Sequence, residues 1–172
     1  VNLIWTLYRM GQYDKAVPLC VQTFNILQKT SDEKDPEYAN IISFLARLYH
    51  LMGQYDKAQP LYEEALTITG STHGEHHFQY AGRCGNLACF FDKIMRQYDK
   101  AQPLYEKALE IIKATSGEQN SSYLTNLNNL ANLFYAMEKH EDALPLYEKL
   151  IGITKKIHGE VHPAYAGRLC DL

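Results

Sequence analysis

The side chains that first invite a chemical reading lie in His73-Gly74-Glu75-His76-His77, where three imidazoles and a carboxylate are metal ligands by type. Their placement argues otherwise. His73 and His77 recur as His158 and His162, and Asp35, His77, Asn120 and His162 all stand where a helix begins, so this stretch reads as a helix boundary and no metal is expected. Cys20, Cys84, Cys89 and Cys170 show no CxxC spacing and are too sparse for a disulfide framework. Cys84 and Cys89 fall on one helix without an activating neighbour, which makes them packing residues rather than nucleophiles. The pairs Asp14-Lys15, Asp56-Lys57 and Asp99-Lys100 recur in phase and suit helix starts, where an acidic residue complements the dipole. Asn120-Ser121-Ser122 fits a glycosylation acceptor, but with no secretory signal it reads as a loop and helix cap. No G-x-S-x-G elbow, phosphate-cradling glycine loop or HExxH occurs, so neither an enzyme nor a cofactor is expected.

The elements that carry these residues are repeated. Gly11-Gln12-Tyr13-Asp14-Lys15-Ala16 returns 42 residues on as Gly53 to Ala58, then 43 residues on as Arg96 to Ala101, and 42 further on in weaker form as Glu138-Lys139-His140-Glu141-Asp142-Ala143. A fixed period in this range marks a tandem array. Between the repeated words, apolar residues follow helical spacing: Tyr38, Ile41, Ile42, Leu45, Leu48, Tyr49 and Met52 form one stripe, and Ala58, Leu61, Tyr62, Ala65, Leu66 and Ile68 the next. Gly53-Gln54 leaves room only for a tight turn, so each pair of helices packs as an antiparallel hairpin. Pro18, Pro60, Pro103 and Pro145 each lie about one turn after a helix start, where few backbone bonds are lost.

These signals predict helix pairs near 1–30, 36–70, 78–115 and 121–156, a partial fifth unit at 163–172, and one array over 1–172 that is a piece of something longer. About three-quarters of the residues should be helical, with no strands. Ala46 to Tyr55 and Ala131 to His140 each span nine residues but Ala88 to Tyr98 spans ten, which predicts a wider turn in the third pair. Glu138-Lys139-His140 lacks the glycine, so that turn should be less sharply defined.

Composition narrows the class of partner. The 172 residues are 46% hydrophobic, and 17 Lys and Arg against 20 Asp and Glu give a net charge of −3. No block of like charge marks nucleic acid or an anionic membrane. No apolar run approaches the ~18 residues that span a bilayer, and residues 1–10 lack a signal-peptide pattern. Reduced cysteines then place the chain in the cytoplasm or nucleus, with the cytoplasm preferred.

Small residues at Ala46, Ala58 and Ala65, the Gly53-x-Tyr55-x-x-Ala58 turn and the aromatic Tyr62 resemble the tetratricopeptide repeat. The long period and the loop Gly159-Glu160-Val161-His162-Pro163 are similar to its kinesin light chain and nephrocystin subtype. Ile4 and Leu150 depart from the pattern at small-residue positions, Cys20 replaces the aromatic, and Phe78 and Ser121 replace the helix-start proline of Pro36 and Pro163. The resemblance implies an all-α fold, an α-solenoid of antiparallel helix pairs forming a right-handed superhelix. It also implies a concave surface, lined mostly by the first helix of each pair, that holds an extended or helical peptide.

Taking Ala46, Ala88 and Ala131 as contacts between helices turns Trp5, Tyr8, Arg9, Arg47, His50, Asn132 and Tyr135 toward that concave side, joined by Asn2, Asn86, Asn128 and Asn129. The asparagines offer donors and acceptors to a ligand backbone and the aromatics offer apolar pockets; the competing reading is that some asparagines merely bond neighbouring helices. The first helices carry Arg9, Arg47, Arg83, Lys93 and Arg168 against Glu37, Asp92 and Asp171, five minus three, a balance too weak for RNA and suited to a neutral or mildly acidic peptide. The function expected is a protein–protein interaction scaffold. The alternative is a regulatory or oligomerisation segment of a larger signalling ATPase or caspase-like protease, packing on another domain. Apolar surface around Ile4 and Trp5, and around Tyr165 and Leu169, also predicts end-to-end self-association.

Overall fold

A computed structural model describes residues 2–30 and 36–159. Of these, 87% are helical and none lies in a strand. The chain divides into two compact units, Val1–Arg83 and Cys84–Leu172. The Asp35 cap and the partial fifth unit at 163–172 lie outside the described residues.

The first unit contains α1 (Asn2–Arg9), α2 (Tyr13–Thr30), α3 (Pro36–Leu51), α4 (Tyr55–His73) and the opening of α5 (Phe78–Phe90). Gly53 adopts φ +72, a left-handed conformation that costs glycine little. The amide of Gln54 then reaches back to the carbonyl of Tyr49 at 2.9 Å, and that of Gly53 to His50 at 3.0 Å. This closure satisfies the last carbonyls of α3 while the chain reverses, which makes α3 and α4 an antiparallel hairpin. Their core joins Ile42, Leu45, Leu48 and Ala65 to Ile4, Ala16 and Cys20. Cys20 takes the aromatic position, and its thiol is buried and donates to the Ile41 carbonyl at 3.8 Å. Phe24 stacks on Tyr38 at 5.5 Å, tying α2 to α3. The Arg83 guanidinium donates through Nε to Thr69 at 3.4 Å and through Nη2 to Asn40, so the first turns of α5, within this unit, are held to both α4 and α3.

The second unit contains the rest of α5, a π turn at Phe91–Met95, α6 (Tyr98–Ser116), α7 (Ser121–Ala136) and α8 (His140–His158). Ala88, Ala101, Ala108 and Ala131 are wholly buried, and Phe90, Tyr105, Ile111, Ile112, Leu127, Leu133 and Leu150 fill the space around them. Leu150, the large residue at a small-residue position, thus becomes core. Asn120 caps α7, accepting from the Ser122 amide at 2.8 Å, in agreement with the cap reading of that motif.

Two expectations about turns are corrected. The third pair has no wider turn, because only Arg96 and Gln97 separate the π turn from α6. The extra residue is absorbed inside the helix: the Gln97 amide reaches Phe91 O at 2.9 Å, six residues back, where Gln54 reaches five. A π turn keeps the backbone donors and acceptors paired, which an extra loop residue would not. Nor is the turn at Glu138 less defined. Glu138 takes φ +61 in place of glycine, and the Lys139 amide closes on Phe134 O at 2.9 Å as in the second pair. Left-handed backbone in a residue with a Cβ costs about 1–2 kcal/mol, and the packing of α7 on α8 outweighs it.

Candidate functional site

In the first unit the sequence places Trp5 and Tyr8 one turn apart on α1, and Phe44 and Arg47 one turn apart on α3. The two stripes meet. Trp5 lies 5.1 Å from Phe44 and 5.6 Å, edge-on, from Tyr8, and Tyr8 lies 5.4 Å from Phe44. The Arg47 guanidinium stands over all three rings, at 4.7 Å from Tyr8, 5.3 Å from Phe44 and 5.4 Å from Trp5. Such contacts are worth about 0.5–1 kcal/mol each when exposed and more when desolvated, so the rings hold the cation in place. Its Nε is buried and has no hydrogen-bond partner among the described residues. Trp5 keeps 45% of its surface open.

One turn beyond Arg47, His50 Nδ1 lies 3.4 Å from the Tyr62 hydroxyl, and its ring packs edge-on against Tyr55. Burial pushes the His50 pKa down, which favours the neutral imidazole. Arg9 is exposed at the end of α1. The Asn2 side chain lies outside the described residues.

In the second unit, Asn128, Asn132 and Tyr135 share one face of α7, with Asn129 beside them. Asn132 accepts a short hydrogen bond, 2.6 Å, from the Tyr147 hydroxyl of α8, so it is bonded to its neighbouring helix as well as placed on the first-helix face. Tyr135 is 62% exposed, with its ring 5.2 Å from His140. Asn86 is exposed on α5.

Three further residues occupy the same repeat positions and were not counted from the sequence among the residues of the concave face. Phe44 is the counterpart of Asn2, Asn86 and Asn129; Cys89 follows Arg47 by 42 residues; Asp92 follows His50 by 42. Strict use of the period would have found all three. Asp92 is only 2% exposed, paired with Lys93 at 2.9 Å and receiving the Tyr105 hydroxyl at 3.4 Å. Burial, reinforced by Asp92, pushes the Cys89 thiol pKa up, and burial alone pushes that of Cys20 up to about 12. Both thiols are therefore held protonated at neutral pH, the opposite of an activated nucleophile.

The His73 and His77 rings lie 4.8 Å apart, but each Nδ1 is engaged, with the Thr72 hydroxyl at 2.8 Å and the Gln79 amide at 3.2 Å. Because His77 Nδ1 accepts from that amide, the proton of its neutral ring sits on Nε2, where a metal would need a lone pair. Among the described residues no group of three or more ligating side chains could hold a metal ion, and no helix is long and apolar enough to cross a membrane.

A family model described as tetratricopeptide repeat matches residues 2–71 and 86–166. None of the curated proteins compared with the chain matches it. Among solved structures, BtubC (BKLC) from P. vanneervenii is 29% identical with a TM-score of 0.86, over 99% of this chain and 67% of that one. A Podosopora anserina putative kinesin light chain with nearly identical TPR-like repeats is 26% identical with a TM-score of 0.87, over 97% of this chain and 79% of that one. The apo form of RapI, at 19% identity, a TM-score of 0.79 and 90% and 54% coverage, shares the fold alone.

Proposed function

Since the chain belongs to the tetratricopeptide-repeat family, whose members generally serve as protein–protein interaction scaffolds, we propose that its first helices form a groove for a peptide segment of a partner protein. The observation that carries this reading is the cradle on α1 and α3. A cation fixed by Tyr8 and Phe44, with a buried donor unpaired, stands beside a half-open Trp5. Aromatic and arginine side chains of this kind carry most of the energy at protein interfaces. The cation favours a neutral to mildly acidic segment over a basic one or a nucleic acid. In the first unit His50 and Arg9 belong to the proposed surface, with Asn2 at the repeat position of Phe44; in the second unit Asn86, Asn128, Asn129, Asn132 and Tyr135 are proposed as contact residues in their own right. Four sparse cysteines without the spacing of a disulfide framework suit the reducing cytoplasm.

Selection of binders from a random peptide library on the purified chain tests the reading, followed by titration against Trp5→Ala, Arg47→Ala and the pair Asn129→Ala with Asn132→Ala. Each should weaken binding by about tenfold or more, with the helical circular dichroism unchanged. Selected peptides that bind all three variants as they bind the parent would refute the groove.

A second reading rests on a different surface. Leu3, Met10 and Ile26 are 60%, 61% and 53% exposed, whereas Leu45, the counterpart of Leu3, is 3% exposed. These exposed apolar side chains support packing on a further segment of a larger signalling protein, or end-to-end association of copies. Light scattering across a concentration series, with Leu3→Glu as the control, distinguishes association from a strict monomer.

A further inference from the structure

On the groove reading, we infer that Asp92 is the receptor for one cationic side chain, Lys or Arg, of the bound segment, and that Lys93 occupies it in the free chain. Asp92 stands at the repeat position of His50 and Tyr135, where the second pair has an imidazole held neutral and the fourth a phenol. The π turn at Phe91–Met95 leaves this carboxylate 2% exposed yet poorly satisfied. A carboxylate offers about four acceptor sites. Asp92 uses one oxygen only: Oδ2 meets Lys93 Nζ at 2.9 Å and the Tyr105 hydroxyl at 3.4 Å, the far end of hydrogen-bond range. Oδ1 has no hydrogen bond among the described residues, and the wholly buried unpaired side-chain atoms there are Arg47 Nε and Gln97 Oε1, so Oδ1 is unpaired without being sealed off. A buried carboxylate with empty acceptor sites gains most from a charged donor.

Lys93 holds the site weakly. It is the next residue in the chain, 45% of its side chain remains in water, and fixing it costs rotamer entropy. A lysine or arginine from a partner replaces it cation for cation, so the buried carboxylate ends paired and Lys93 returns to solvent. Arg96, the other cation that feels this carboxylate, is exposed and bonded through Nη1 to the Tyr98 hydroxyl at 2.9 Å. Cys89, one turn earlier on α5, is half-buried and uncharged, so it does not compete. One basic side chain is compatible with a segment that is neutral or mildly acidic overall.

The probe is a random dodecapeptide library, selected on the purified full chain and in parallel on Asp92→Asn, which keeps an acceptor for Tyr105 but loses the charge. The parent pool should carry a Lys or Arg at one aligned position, and the Asp92→Asn pool should lack it. The strongest parent peptide should weaken about tenfold when its basic residue is replaced by norleucine, about tenfold on Asp92→Asn, and no further when both changes are combined. Lys93→Gln should tighten the same peptide about threefold or more, because the internal competitor is gone. A purely structural ion pair gives the opposite sign, since losing Lys93 would only loosen the turn. Helical circular dichroism reports whether each variant is folded, and the norleucine peptide tests the contact on the unaltered chain. If the basic preference survives Asp92→Asn, if the two changes add, or if Lys93→Gln binds no tighter than the parent, the inference is wrong; the groove still stands where selected peptides respond to Trp5→Ala and Arg47→Ala. If the library yields no binder on the parent, both are wrong.

Discussion

Replacing Gly85 by alanine should destabilise the protein, against the ordinary rule. In the interior of a helix, Gly→Ala gains about 1 kcal/mol from helix propensity. A Cβ on Gly85, however, would lie 2.6 Å from Asn126 Oδ1 and 3.3 Å from Nδ2. Asn126 cannot swing away freely. It is 7% exposed and its Nδ2 donates to the Ser122 carbonyl at 2.8 Å. Overpacking of a filled site costs about 1–3 kcal/mol and the displaced hydrogen bond about 1 kcal/mol more, so the net loss should be about 1–3 kcal/mol. Gly82 and Gly152 meet nothing within 4 Å of their own added Cβ, and alanine there should gain the usual amount, about 0.5–1 kcal/mol. The decisive measurement is a double-mutant cycle by urea denaturation, in which Gly85→Ala is made again in an Asn126→Ala background. With the obstructing amide gone it should stabilise by about 1 kcal/mol, giving a coupling of about 2–4 kcal/mol. A stabilising Gly85→Ala in the parent, or a cycle with no coupling, would refute the seating of Asn126 against Gly85.

Glu138→Gly should stabilise by about 0.5–1 kcal/mol, because relief of the left-handed strain at φ +61 exceeds the added entropy of the unfolded chain, and a fall in melting temperature would contradict this. Acid should expose the Glu118 cluster. Hydrogen bonds from Lys149 at 2.9 Å and Lys113 at 3.0 Å hold the Glu118 pKa down at about 2, against an ordinary 4.5. The folded state therefore binds the proton more weakly than the unfolded one. The contribution is complete above about pH 4.5 and lost as pH falls toward about 2. Glu118→Gln should lower stability at neutral pH and converge with the parent across that window; a difference that persists at pH 2 would count against it.

The period, the helix pairs and the family were legible in the residues because each repeat solves the same problem with the same chemistry. A glycine reverses the chain at Gly53, alanines at Ala46 and Ala58 admit a neighbouring helix, and the apolar stripes between them are local in sequence. What an insertion does was not legible. The extra residue before Tyr98 reads as a longer loop, and only the competition for backbone hydrogen bonds in the folded chain puts it into a π turn at Phe91–Met95. Glu138 shows the same limit, since a residue's tolerance of left-handed backbone depends on how much packing holds the turn.

Among the candidate site residues, the sequence alone placed Trp5, Tyr8 and Arg47 on faces that meet, because helical spacing determines which side chains share a face. It could not show that Phe44 completes the cradle, that Asn132 is claimed by Tyr147, or that Asn126, in the same asparagine-rich helix, is buried against Gly85. Those outcomes depend on side chains distant in sequence competing for the same space and the same hydrogen bonds, and that competition exists only once the helices have packed.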